Sequence, residues 1–183
     1  MRLDWNNTLA LAVDLQEKLV PAMAGIPRLV ERSKFLLAGL AVYRIPIVHT
    51  RQYPKGLGDT LEEIRAAAPY AEVFDKTSFS CLDANAVRDR FVADPRPNVL
   101  LAGIEGHICV QQTALDLLEL GKRVYLVCDC LSSRDPFDCD VAVKRMTQAG
   151  VIPTTAESVL FEITRAAGSP QFKEISKLAK ERA

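Results

Sequence analysis

Apolar residues fall into two kinds of stretch along this chain. Short unbroken runs lie at residues 9–13, 45–48, 99–102 and 124–127, and a shorter one begins at Val151 and Ile152. Strands that lack apolar/polar alternation are covered on both faces. Between the runs, amphipathic stretches predict helices over about 28–43, 84–92, 107–120, 138–149 and 157–167. The first carries Leu29, Phe35, Leu36, Leu37 and Leu40, and a last surface helix is expected after Pro170. Thr154 and Glu157 have capping-box spacing at a helix start, and Gly121 and Gly150 fall where helix ends need a left-handed residue. Strands alternating with helices give βαβ units and a mainly parallel sheet. The expected architecture is an open three-layer α/β/α sandwich, one domain over residues 1–183. Ligands of such sheets bind beyond the carboxyl ends of the strands.

Composition narrows the class. The chain is 49% hydrophobic and 25% charged with formal net charge +0, as in ordinary globular domains. There is no basic block or acidic tail, so neither nucleic acid nor a membrane surface is an expected partner. Charge this low also permits self-association. The opening residues lack the charged-then-apolar pattern of a secretory leader, and no apolar stretch is long enough to span a bilayer. The five cysteines, Cys81, Cys109, Cys128, Cys130 and Cys139, are odd in number and suggest no disulfide framework. A reducing, cytoplasmic setting is therefore expected.

The strand-end rule directs attention to Asp14 after the first run, Lys76 in VFDKTSFS, and Cys109 in the segment after the third long run. Each has an ordinary reading as well. Asp14 fits a helix cap, Lys76 a solvated surface cation, and Cys109 an inert buried thiol. Together they suit nucleophilic chemistry. A cysteine at a helix start gains from the helix dipole and free N–H groups, and a nearby lysine favours the thiolate. An aspartate then takes and returns the proton. Cys128, Cys130 and Cys139 match no common zinc-finger spacing.

The motifs carry a resemblance. ALAVDLQEKLVP, EVFDKTSFSCL and GIEGHICVQQTALDLLELGKRVYLVCDCLSSR resemble the isochorismatase-like cysteine hydrolases, which include nicotinamidases and N-carbamoylsarcosine amidase. RMTQAGVIPTTAESVLFEI and the TRQYPKGLG segment at 50–58 extend the likeness over nearly the whole chain, toward the uncharacterised isochorismatase domain-containing group. The resemblance implies a catalytic triad of Asp14, Lys76 and Cys109. It also implies a non-proline cis peptide at Ile104–Glu105, with backbone donors near Ile104, Glu105 and Cys109 holding an oxyanion. Gln16, Gln52, Tyr53, Phe79 and His107 are candidates for the pocket rim, and Arg134 is expected to pair with an acid.

Nicotinamidases hold a metal with an aspartate and two histidines. Here HTRQYPKGLGDT lacks that aspartate and second histidine, and His49 and His107 are the only histidines. No metal and no cofactor are therefore expected. The implied activity is hydrolysis of a small molecule's amide, ureide or carbamoyl C–N bond through a thioester, in a homo-oligomer (dimer or tetramer). The alternative is a catalytically silent scaffold that keeps the fold.

Overall fold

The computed structural model describes residues 2–181. Six strands form one parallel sheet in the order β3-β2-β1-β4-β5-β6. They are β1 (Thr8–Val13), β2 (Ile47–Gln52), β3 (Glu72–Lys76), β4 (Asn98–Gly103), β5 (Arg123–Leu131) and β6 (Ile152–Thr154). All six residues of both β1 and β4 are buried, which is why these central strands read as continuous apolar runs. The edge strand β3 is exposed along most of its length. It is therefore polar in sequence and shows only the apolar pair Val73 and Phe74.

Helices cover both faces. On one face, α1 (Ile26–Val42), α3 (Glu62–Ala67), α7 (Ala156–Thr164) and α8 (Phe172–Glu181) bury Leu36, Ile64, Leu160 and Ile175 against Ala10, Ile47 and Leu100. On the other, α4 (Asn85–Ala93), α5 (Gln111–Glu119) and α6 (Pro136–Gln148) bury Phe91, Leu117 and Met146 against Leu11, Val48 and Leu101. Every side chain so buried contributes about 1.5–3 kcal/mol of transfer free energy. A short helix α2 (Pro54–Leu57) and α3 lie in the β2–β3 crossover, where Gly- and Pro-rich sequence hid them. The final helix start differs by one residue from expectation: Thr155 is the cap, and its side chain accepts from Ser158 N–H. Gly121 and Gly150 do adopt positive φ, 80° and 109°.

Strand order reverses between β1 and β4, whose carboxyl ends are the switch point of the sheet. The two strands run very close there. A Cβ on Gly103, at φ +120°, would stand 2.2 Å from Val13 O, so only glycine fits.

Candidate functional site

Asp14 follows β1 at the switch point with φ 52°. Its carboxylate is fully buried and does not cap a helix. Lys76 Nζ, from the end of β3, donates to Oδ2 at 2.6 Å, and Thr50 Oγ1 donates to Oδ1 at 2.8 Å. The lysine also reaches Gln52 Oε1 at 2.7 Å and the carbonyls of Ser78 and Phe79 at 3.2 and 3.4 Å. A buried ion pair needs this many partners to offset desolvation. Burial works to lower the Lys76 pKa, but charge interactions with Cys81, Asp14 and Cys109 overcome it and leave it raised. The lysine therefore stays charged at neutral pH.

Cys109 sits in a wide turn, Gly106–Val110, whose π-type winding precedes α5. The expected helix over 107–120 thus divides in two. The thiol is 6% exposed and within electrostatic reach of Asp14, Lys76 and Cys81. Burial first, then Asp14 and Cys81, push it up to about 12 against the opposing pull of Lys76. This differs from the activated thiolate that the helix start suggested. Desolvation outweighs the dipole and the lysine, so the resting group is a thiol, with Asp14 the nearby carboxylate suited to accept its proton.

The residues before the nucleophile form a tight turn. The Ile104–Glu105 peptide is cis. The Ile104 N–H is donated to Val13 O at 2.9 Å, which removes it from the expected set of oxyanion donors. Gly106 N–H is donated to Ser132 O at 2.8 Å. The Glu105 N–H meets no acceptor among the described residues.

The rim candidates separate into two groups. Gln16 is fully buried, and its amide is spent on the main chain. Nε2 donates to Gln52 O and Gly58 O at 3.0 and 2.8 Å, and Oε1 accepts from Gln52 N at 2.7 Å. It braces the wall behind the site and leaves no polar atom for a ligand. Gln52 in turn orients Lys76 and donates to Thr77 O at 2.8 Å. Tyr53 and Phe79 are more than half exposed. His107 Nδ1 lies 3.0 Å from Ser133 Oγ, and its Nε2 lies 3.7 Å from Asp138 Oδ2. Arg134 pairs with Glu105 at 2.8 Å.

Thr50 and Cys81 are in the site but were not found by sequence reasoning. Thr50 stands beside Val13 in the strand register, which fixes it next to Asp14. Cys81 Sγ lies 3.7 Å from Thr50 Oγ1, and its N–H donates to Thr113 Oγ1 at 2.9 Å. A cavity of about 510 Å³ opens beside Lys76, lined in part by Tyr53, Lys55, Ser78 and Asp83. A larger one of about 780 Å³, lined by Val30, Phe35 and Leu178 among others, contains no nucleophile, so chemistry places the site at the strand ends instead. Among the described residues, no three His, Cys, Asp or Glu side chains gather to hold a metal ion, and no helix is long and apolar enough to cross a membrane.

Fold and site together define an α/β protein with a cysteine and a buried acid–lysine pair at the switch point of a parallel sheet. The isochorismatase domain model matches residues 8–158, and the chain belongs to the isochorismatase family, whose members are hydrolases. It is 39% identical to isochorismatase domain-containing protein 2A of Mus musculus, over 96% of this chain and 84% of that protein. It is 37% identical to the secreted isochorismatase effector Isc1 of Phytophthora sojae, over 98% of this chain and 88% of that one. The chain spans only 61% of isochorismatase domain-containing protein 1 of Salmo salar, at 38% identity. Among solved structures, the MAR1 ribonuclease of Caenorhabditis elegans superposes with a TM-score of 0.92 at 38% identity, over 97% of this chain and 92% of that chain.

Proposed function

We propose that this chain hydrolyses a non-peptide C–N bond, in an amide, ureide or carbamoyl group of a small molecule, with Cys109 as nucleophile. The observation that carries the reading is the buried Asp14–Lys76 ion pair, closed at 2.6 Å, at the same strand ends as the buried Cys109 thiol, whose charge interacts with both.

Asp14 takes the thiol proton as sulfur attacks the carbonyl carbon. The N–H groups of Glu105 and Cys109 hold the oxyanion of the tetrahedral adduct. Asp14 returns its proton to the departing nitrogen as the C–N bond breaks, leaving a thioester on Cys109. Water, deprotonated by Asp14, then attacks the thioester and releases the acid and the thiol. Lys76 holds the buried carboxylate in place through each half-reaction. No step uses a metal. The low exposure of Cys109 suits a small substrate, with Tyr53, Phe79 and His107 around the entrance. The reading includes a homo-oligomer, dimer or tetramer, and a cytoplasmic setting that keeps five free cysteines reduced.

The test is ammonia release from a panel of small amides, ureides and carbamoyl compounds, with Cys109→Ala as control. At least one compound should turn over with the wild type and none with the variant. RNA is tested separately, by strand cleavage on a gel, because the C. elegans relative is named a ribonuclease; a formal charge of +0 gives no net attraction to it. Equal turnover by the wild type and Cys109→Ala would remove the cysteine from the chemistry. A wild-type protein inert to the whole panel, with an unreactive Cys109, would favour the scaffold.

A further inference from the structure

The turn that leads into Cys109 is gripped, residue by residue, by the loop after β5. Arg134 Nε donates to Glu105 Oε2 at 2.8 Å. Gly106 N–H donates to Ser132 O at 2.8 Å. His107 Nδ1 and Ser133 Oγ are 3.0 Å apart. Three consecutive residues thus meet three consecutive residues. The gripping loop is itself tied to the segment beyond Asp14, since Ser132 Oγ donates to Ala24 O at 2.6 Å and Ala24 N–H to Ser133 O at 3.0 Å. There is little slack: a Cβ on Gly106 would stand 3.0 Å from Cys139 Sγ and 3.2 Å from Ser133 Oγ. Inside this grip the Glu105 N–H meets no acceptor among the described residues. The Glu105 side chain is mostly buried and its guanidinium partner is mostly exposed, 14% against 62%.

We propose that Arg134 is a positioning residue: by fixing the Glu105 side chain from outside, it keeps the Glu105 N–H aimed at a carbonyl oxygen held over Cys109. The proposal rests on reading that turn as the oxyanion holder. It assigns Arg134 a role in the adduct alone, because the guanidinium touches neither Cys109 nor Asp14. An ion pair this open to water adds little to folding, so Arg134→Ala should fold like the wild type.

Propionaldehyde separates the alternatives, since it needs no known substrate. The Cys109 sulfur bonds to the aldehyde carbon, and the thiol proton ends on the former carbonyl oxygen, which is the atom the Glu105 N–H would hold. Binding is read as protection of Cys109 from iodoacetamide, whose displacement of iodide forms no such oxygen. Hydrogen–deuterium exchange of residues 104–110 reports on the grip directly. Arg134→Ala should weaken propionaldehyde binding about tenfold, the scale expected for a slightly misplaced donor. It should also speed exchange in the turn and leave the unprotected alkylation rate and the urea midpoint unchanged. Arg134→Lys should restore part of the aldehyde affinity. Unchanged aldehyde affinity and exchange would overturn the proposal, as would alkylation falling in step with aldehyde affinity. If the wild-type protein binds no propionaldehyde while Arg134→Ala still speeds exchange, the oxyanion reading of the turn has failed and the role in catalysis falls with it, although the grip is real.

Discussion

Thr50 Oγ1 donates to Asp14 Oδ1 at 2.8 Å, while Lys76 occupies Oδ2 at 2.6 Å. Each carboxylate oxygen therefore has its own donor, one on the adjacent strand β2 and one on β3 beyond it, and the group cannot rotate without breaking one of them. Thr50→Val keeps the shape and removes the donor. A hydrogen bond to a charged group contributes about 1.5–3 kcal/mol. On the proposed function, kcat/KM should fall by about tenfold to a hundredfold, with a smaller fall for Thr50→Ser. Urea unfolding run in parallel would separate loss of aim from loss of fold. Full activity in a folded Thr50→Val protein would show that Asp14 needs no second anchor.

The Asp14–Lys76 pair should matter more to stability when broken than when removed. Lys76→Met leaves a buried carboxylate without its cation, for which about 3–5 kcal/mol of destabilisation is expected. Asp14→Asn with Lys76→Met removes both charges and should lose less. The pH dependence follows from the raised lysine pKa. A raised value stabilises the fold fully below the ordinary 10.5 of the unfolded chain. That contribution fades as pH rises through the higher folded value. Urea midpoints of the wild type and the two variants, taken at neutral pH and above pH 10.5, check both statements.

A thiol pushed up to about 12 is protonated at neutral pH, so Cys109 should resist simple alkylation. Its rate with iodoacetamide should climb steadily from about pH 7 to 10 without a plateau, because the thiolate is the reacting form. A plateau reached near pH 7 would mean a preformed thiolate and would remove the need for Asp14 as base. Cys81, held near 11 by burial and more deeply buried, should react more slowly still; peptide mapping of the labelled protein distinguishes the two.

What the sequence made legible follows from how completely each element is buried. The runs that became β1 and β4 are wholly buried and could be read from apolar residues alone. Edge strand β3 could not, since solvent on its open side permits Glu72 and Asp75. Asp14, Lys76 and Cys109 were found because each ends or follows a strand and lies in a long motif. Thr50 and Cys81 were missed because a threonine within a strand and a buried cysteine carry no distinctive signal; only strand register and packing reveal what they touch. The upward push of burial on the Cys109 thiol was not legible for a related reason. Helix position was visible in the sequence, but desolvation, which dominates, depends on what packs around the thiol. Gln16 shows the same limit, since its place after Asp14 suggested a pocket wall and its hydrogen bonds make it a brace.

His49 predicts how the fold responds to acid. It lies on β2 beside Ala12 and Val73 in the sheet register, 2% exposed, and its Nε2 has no hydrogen-bond partner among the described residues. Burial lowers its pKa from 6.5 to about 4. A depressed value means that the unfolded chain binds the proton first as pH falls. Stability from this group is therefore present above about pH 6.5, is lost progressively toward pH 4, and does not fall further below that. A shift of this size corresponds to about 3 kcal/mol over the interval. His49→Leu removes the titrating group and the unpartnered nitrogen together, so its stability should change less between pH 7 and 4.5 and should match or exceed that of the wild type at the lower pH. Urea midpoints across that range give the slope directly. Equal slopes in both proteins would mean that another group carries the acid response.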